Sequence, residues 1–424
     1  MKLTFKNPFA KKQVAAPRAY VAPVQLRRIR QDAETRRSAI NEAENAYFPH
    51  RVRLQQMYLN TKENGHIKSC IERRKDLTIL RKWEFRDANG NIDDKTTSIF
   101  CEVVNGKTQL KKWFINYLSF SLDALFFGYS LIKLGDVIDG EFKQISVEKR
   151  WHVSPDRRNI VSFPYMINGT CFDDEEFKDW YVFVDTPNDT GISKCGYGLF
   201  YELSVYEIFL RNLMGFNGDF IELFAQPFRV GKTNKTEEDE RAEFESAIRD
   251  MGSSGYAILD DIGETVEFIE SKNSGTGFNG YDNFEKRLED KTSRLILGHA
   301  DAMSSVAGKL GNDSKESPAQ QALEDKATAD AAFILPLINN ELIPRMRNIG
   351  FNIPDGVTAC MQNDSEEREL MENTVDIAVK MKSAGLQMEA KYFTEKTGIP
   401  VAEPAPLPKP FSTAVQNKLN ELYR

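Results

Sequence analysis

The 424-residue chain is 41% hydrophobic and 28% charged, the content of a globular protein with room for about two or three cored domains. A formal net charge of -7 argues against a surface that grips nucleic acid throughout, though DNA passing by without being held stays open. Five scattered cysteines without C-x-x-C spacing point to free thiols in a reducing compartment, and no apolar run approaches the roughly 18 residues that span a bilayer, so neither a secreted nor a membrane protein is expected.

Met1 to Arg30 is basic and interrupted by Pro8, Pro17 and Pro23, and reads as a flexible arm that either stays solvated or straps an anionic partner. From Gln31 to about Arg81 the pattern is helical and runs into a strand at the end, with Arg73 and Arg74 on the polar face. Thr108 to Phe127 reads as a second helix with Trp113, Tyr117, Phe120 and Leu125 as its core stripe, ended by Gly128. Strand-like runs follow at YSLIKL, FKQISV, NIVSF and WYVFV, so the region from Asn41 to Lys194 reads as an α+β domain.

The stretch Gly196 to Lys232 organises the rest. A Gly-x-Gly turn at Gly196 and Gly198 opens a long helix over Leu199 to Ala225, which Pro227 stops. Its polar and small residues Ser204, Glu207, Arg211, Gly215, Gly218 and Glu222 form one narrow stripe expected to face water. The apolar remainder, including Phe209, Leu210, Leu213 and Phe220, needs enclosure by the domain or by identical neighbours.

Phe228 to Ser271 predicts a small α/β insert with a charged helix near Thr236 to Met251 and strands at GYAILD and TVEFIE, closed by Gly275, Gly277 and Gly280. Tyr281 to Leu297 predicts a returning helix with Tyr281, Phe284, Leu288 and Leu295 as its seam. Gly298 to Glu316 has no apolar period and ends at a capped start, Ser317, Pro318 and Gln320. The alanine-rich helix that begins there must kink at Pro336. Two more helices, Ser365 to Ser383 and Gln387 to Thr397, precede a Pro-rich extended tail.

Catalytic signals are weak. Gly231, Lys232 and Thr233 suggest a P-loop, but the position of its first glycine is Gln226, beside Pro227. His50, His66, His152 and His299 lack metal-ligand spacing, and the acidic runs at Asp173, Glu175, Glu176 and Glu237 to Glu240 have the character of solvated faces. A metal-dependent DNA-processing enzyme using acidic ligands is the alternative reading.

In order and spacing, Gly196, Gly198, Phe224, Pro227 and the Val230-Gly231-Lys232 strand, then Ile296-Leu297-Gly298, the Ser/Gly-rich loop and the N-N-E-L-I-P helix ending resemble the Mu-type family of tailed-phage portal proteins. The match runs from roughly Asp123 to Phe351, about half the chain. The resemblance implies an α+β portal fold without enzymatic activity or cofactor, divided as a basic arm (1–40), wing (41–198), stem helix (199–226), clip (227–280), second stem helix (281–298), tunnel loop (299–317), kinked wing helix (318–352) and helical crown with its tail (353–424). It implies a closed cyclic ring, a dodecamer in that family, at a capsid vertex of the virion, assembled in the host cytoplasm. Double-stranded DNA would pass through it in packaging and ejection, with the major capsid protein, scaffold, terminase large subunit and head-tail adaptor as partners and no membrane. On this reading Lys309, Lys315, Asn312 and His299 meet DNA in the channel, Leu210, Leu213, Phe209 and Phe220 pack subunits together, and Phe228 and Lys232 belong to the clip.

Overall fold

The computed structural model describes residues 13–24, 26–104, 106–188, 195–224, 228–234, 236–250, 265–269, 274–300, 318–362, 364–384, 388–397, 399 and 422. The chain divides into two units, Met1–Leu80 with Phe85–Cys360, and Arg81–Glu84 with Met361–Arg424. No described helix is long and apolar enough to cross a membrane.

The arm departs from the sequence expectation: residues 13–24 and 26–30 lie along the body of the larger unit. Strand β1 (Gln13–Val14) pairs antiparallel with Val137 and Ile138, and the Ala16 N–H donates to Asp136 Oδ1 at 2.9 Å. Further on, Gln56 Nε2 donates to the Arg27 carbonyl at 2.9 Å and Asn60 Nδ2 to that of Ile29 at 3.2 Å. An arm tied by its backbone needs no apolar period, which is why its pattern read as solvated.

Helices α1 (Ala33–Ala43), α2 (Val52–Lys62) and α3 (Gly65–Ile79) follow, before strand β2 (Lys82–Arg86). Asp32 caps α1 by accepting from the Thr35 N–H, and Asn64 caps α3 by accepting from His66 and Ile67. Leu54, Met57, Tyr58, Ile67, Cys70 and Ile71 form the start of the main core. The expected helix from Thr108 begins only at Lys112. Before it come α4 (Asp94–Phe100) and a hairpin of β3 (Cys101–Val104) and β4 (Lys107–Leu110). In α5 (Lys112–Phe127) Trp113 and Tyr117 are buried as predicted while Phe120 and Leu125 are half-buried, because Phe114, Leu118 and Leu122 fill the inner face.

Gly128 ends α5 in the left-handed region at φ +89°. Beyond it β5 (Tyr129–Lys133), β6 (Val137–Ile138), β7 (Glu141–Phe142), β8 (Ser146–Val147), β9 (Val153–Ser154), β10 (Asn159–Ile160), β11 (Thr170–Cys171) and β12 (Tyr181–Asp185) form three small antiparallel sheets in the orders β1-β6-β7, β11-β10-β9 and β12-β5-β8.

Helix α6 (Phe200–Phe224) leads to the insert, where β13 (Phe228–Lys232) pairs antiparallel with β14 (Thr265–Ile269) around α7 (Glu238–Asp250); the GYAILD run lies outside the described residues. The returning helix α8 (Ser274–Leu297) starts earlier than expected and runs through Gly275, Gly277 and Gly280. Helix α9 (Pro318–Pro336) continues through a π-helical turn at Leu337–Leu342 into α10 (Ile343–Ile349), so the chain meets Pro336 with a change of helical register. Strand β15 (Thr358–Gln362) follows. The smaller unit carries α11 (Asp364–Ser383) and α12 (Ala390–Thr397), packed on each other.

Candidate subunit interface and channel segment

The long helix α6 is launched from a backbone joint. The Thr186 N–H donates to the Gly128 carbonyl at 3.0 Å, Gly196 to Thr186 at 2.8 Å and Leu199 to Leu125 at 3.0 Å, which ties the end of α5 to the start of α6. A side chain at Gly198, whose φ is +72°, would stand 2.5 Å from the Phe126 carbonyl oxygen and closer still to the Gly128 nitrogen. Buried Arg51 holds the turn from the other side, donating to the Gly196 carbonyl at 2.7 Å and to that of Cys195 at 2.6 Å. Burial pushes the Cys195 thiol up to about 11 despite the neighbouring Arg51 charge, so it stays protonated at neutral pH.

Burial along α6 changes abruptly. Phe200 and Leu203 sit in the main core, and Leu210 and Leu213 are 4% and 7% exposed, covered by the chain itself. Phe209, Met214 and Phe216 are 50%, 68% and 60% exposed. The start of the helix is therefore core, while among the described side chains from Met214 to Asp219 the apolar Met214 and Phe216 are uncovered. Of the residues expected to pack subunits, Leu210 and Leu213 are internal and Phe209 is exposed. The side chain of Phe220 lies outside the described residues; Met214 and Phe216 are exposed as well, because the sequence period does not say where a helix leaves its core. Nor does the polar stripe face water throughout: Ser204 and Glu207 are each 1% exposed. Arg36 Nε donates to Ser204 Oγ at 3.1 Å and Arg211 to Glu207 Oε1 at 2.7 Å, and burial raises the Glu207 carboxyl despite Arg211.

Helix α8 packs along α6, and its last residues Ile296 and Leu297 share a core with Phe200 and Leu203, so the two run antiparallel. Of its predicted seam, Leu288 is buried, Tyr281 and Leu295 are half-buried and Phe284 is exposed. Two contacts from α3 fix its end. His66 Nε2 lies 2.9 Å from Ser293 Oγ and 3.2 Å from the Glu289 carbonyl. Arg74, read from sequence as a surface residue, is 6% exposed. Its Nε and Nη2 donate to the Asp330 carboxylate of α9 at 2.7 and 2.6 Å, and its Nη1 to the Ile296 carbonyl at 3.0 Å. Arg73 alone of that pair is exposed.

One guanidinium thus joins the helices on both sides of the 299–317 segment. Gly298, at φ +88°, makes the exit from α8 against Ala322 of α9. His299 is half-buried just beyond it, whereas Asn312, Lys309 and Lys315 lie outside the described residues. Lys232 is on the exposed edge of β13, and the side chain of Phe228 lies outside the described residues.

A second buried polar cluster sits on the far side of α3. Lys75 Nζ donates to Asp123 Oδ1 at 2.6 Å, with Lys62 Nζ and Arg150 Nη2 at 3.6 and 3.7 Å from the same carboxylate. Burial alone would raise the Asp123 carboxyl, but the three cations outweigh it and hold it below the usual range. Burial drives Lys75 below the ordinary lysine range. Among the described residues no group of three or more His, Cys, Asp or Glu side chains is placed to hold a metal ion.

Comparison with known proteins supplies the family. A family model described as the portal protein of Mu bacteriophage matches residues 55–399. No curated protein matches the chain. Among solved structures, the chain resembles one described as the neck of an empty GTA particle, with 13% identity and a TM-score of 0.52 over 82% of this chain and 94% of that one, a likeness of fold. An HK97-family phage portal protein from Corynebacterium diphtheriae aligns at 11% identity and a TM-score of 0.40, over 72% of this chain and 94% of its own. With most of its length matched by that model, the chain belongs to the family of Mu bacteriophage portal proteins.

Proposed function

We propose that the chain closes into a ring at a capsid vertex, through which double-stranded DNA is packaged and later ejected. The observation that carries this is the run of uncovered apolar side chains Phe209, Met214 and Phe216 along α6, a helix roughly 37 Å long. Repeated head-to-tail contact of such helices closes a ring when the rotation closes. In this reading 41–198 is the wing, α6 and α8 form the stem, 227–280 the clip, 318–352 the long wing helix and 353–424 the crown and tail. The terminase large subunit docks during packaging, and the head-tail adaptor docks afterwards.

Negative-stain micrographs and light scattering of purified protein test this. Phe216→Asp together with Phe209→Asp should give folded monomers or ragged oligomers with unchanged circular dichroism, because both side chains are exposed in the subunit. Leu213→Asp should instead unfold the subunit, since it places a charge where the chain itself is packed. Intact rings from the double aspartate variant would refute this assignment of the interface.

We also infer that the 299–317 segment projects into the channel, with Lys309 and Lys315 meeting phosphate transiently and Asn312 and His299 beside them. What supports this is that the segment leaves α8 at Gly298, packed against Ala322, and enters α9 at Pro318, while Arg74 joins those two helices through Ile296 and Asp330. Lys309→Ala with Lys315→Ala should change packaged DNA length or retention in a salt-dependent way while rings still assemble. Unchanged packaging at low and high salt would remove these lysines from the channel.

A further inference from the structure

The arm, once laid on the body, creates a surface that the ring reading does not use. Residues 23, 24 and 26–29 form one wall of a groove of about 750 Å³ whose other walls are α2, the start of α3 and the Lys149–Trp151 turn. The groove is preformed, because the Gln56 and Asn60 side chains, themselves nearly buried, hold the arm's carbonyls. Its floor is apolar, built from Pro23, Val24, Leu26, Leu59 and the Trp151 ring.

Its rim is cationic. Arg27, Arg28, Lys62, Lys68 and Lys149 line it with a single carboxylate, Glu63, which Arg28 already engages, while Lys68 pairs with Glu72 at 3.8 Å just outside it. Lys62 leans on Asp123, but that carboxylate is shared with Lys75 and Arg150, so the positive charge there stays in excess. Among the described residues Arg27 and Lys149 have no carboxylate partner, and the buried Trp151 Nε1 has no acceptor.

Past Trp151 the surface continues as an aromatic shelf. A small cleft lined by Pro49, His50, Trp151 and Met166 shares the Trp151 side chain with the groove. In the loop before α2, Asn45 Oδ1 accepts from the N–H groups of Tyr47 and Phe48, whose side chains are 81% and 63% exposed. Tyr165, in the left-handed region at φ +68°, stacks edge-on against His50 at 5.1 Å. Gln56, Leu59, Asn60 and Lys62 of α2 line the groove, and Tyr47, Phe48 and His50 precede that helix in the chain.

We propose that this surface docks an acidic amphipathic segment of a partner protein, apolar side chains on the floor and carboxylates on the cationic rim. Charge complementarity and the apolar floor select that chemistry. A DNA duplex would meet the rim through its phosphates but has no apolar side chains to place on Leu26 and Leu59. The proposal holds whether or not the chain closes into a ring.

The test is fluorescence anisotropy on the full-length protein, using a labelled amphipathic model peptide with glutamates on one helical face and leucines and one tryptophan on the other. Saturable binding is expected, weakened by about tenfold or more in Arg27→Glu with Lys149→Glu and in Trp151→Ala, and absent for the same peptide with lysine replacing glutamate. Arg27 and Lys149 are exposed, so the charge-reversed protein should melt like the wild type. Slowed hydrogen exchange in residues 23–29 with peptide bound gives an independent readout. Tighter binding of a single-stranded or duplex oligonucleotide, lost in the same variants, would overturn the proposal in favour of nucleic acid. Absence of saturable peptide binding, or equal binding by wild type and variants, would overturn it outright.

Discussion

Gly198→Ala is expected to destabilise the larger unit by about 2–5 kcal/mol, read as a lower urea midpoint at unchanged slope. Two effects add. An alanine forced into the left-handed region costs about 1–2 kcal/mol, and its methyl would collide with backbone at Phe126 and Gly128, where overpacking costs about 1–3 kcal/mol. Backbone cannot move aside as a side-chain tip can. Gly90 supplies the control, since it has a similar φ of +84° but nothing within 4 Å of an added methyl, so Gly90→Ala should show the conformational cost alone. Equal losses in the two variants would mean that the joint between α5 and α6 is not close-packed.

Arg74→Met is expected to cost about 3–5 kcal/mol, because it leaves the nearly buried Asp330 carboxylate without its cation and the Ile296 carbonyl without that donor. The loss should be largely recovered in Arg74→Met with Asp330→Leu, which removes both charges and refills the space. That non-additivity, measured by chemical denaturation of the four proteins of the cycle, distinguishes a coupled pair from two independent contacts. Additive losses would show that Arg74 acts only through packing.

Much of the architecture was legible because its signals are local. A long apolar run named α6, Gly128 named the end of α5, and Pro318 named the start of α9. What the sequence hid was set by partners far along the chain. Arg74 fits a solvent-facing helical position by period, and only Asp330, 256 residues away, makes it internal. Leu213 and Met214 are equally apolar, yet one is enclosed by the chain and the other is 68% exposed, a difference fixed by where the first helices stop supporting α6. The hairpin from Cys101 to Leu110 has too few apolar residues to show a strand period. The family resemblance supplied the stem reading, and the structure then separated the internal leucines from the uncovered aromatic positions.

The π-helical turn after Pro336 also fixes a phase relation. Proline has no N–H to give to the preceding turn, and the turn after Pro336 is wound with one extra residue, which rotates everything that follows. The Tyr117 hydroxyl donates to the Leu337 carbonyl at 3.4 Å, and Asn339 exchanges hydrogen bonds with the Ala359 backbone on the same turn. Asp330 upstream and Ile343 and Met346 downstream can then each face inward, which an unbroken α-helix of the same length would not allow at that azimuth. The extra residue works as a vernier: the helix grips Arg74 with one half and fills the core with the other, and deleting a single residue from 337–342 would put the two halves out of step.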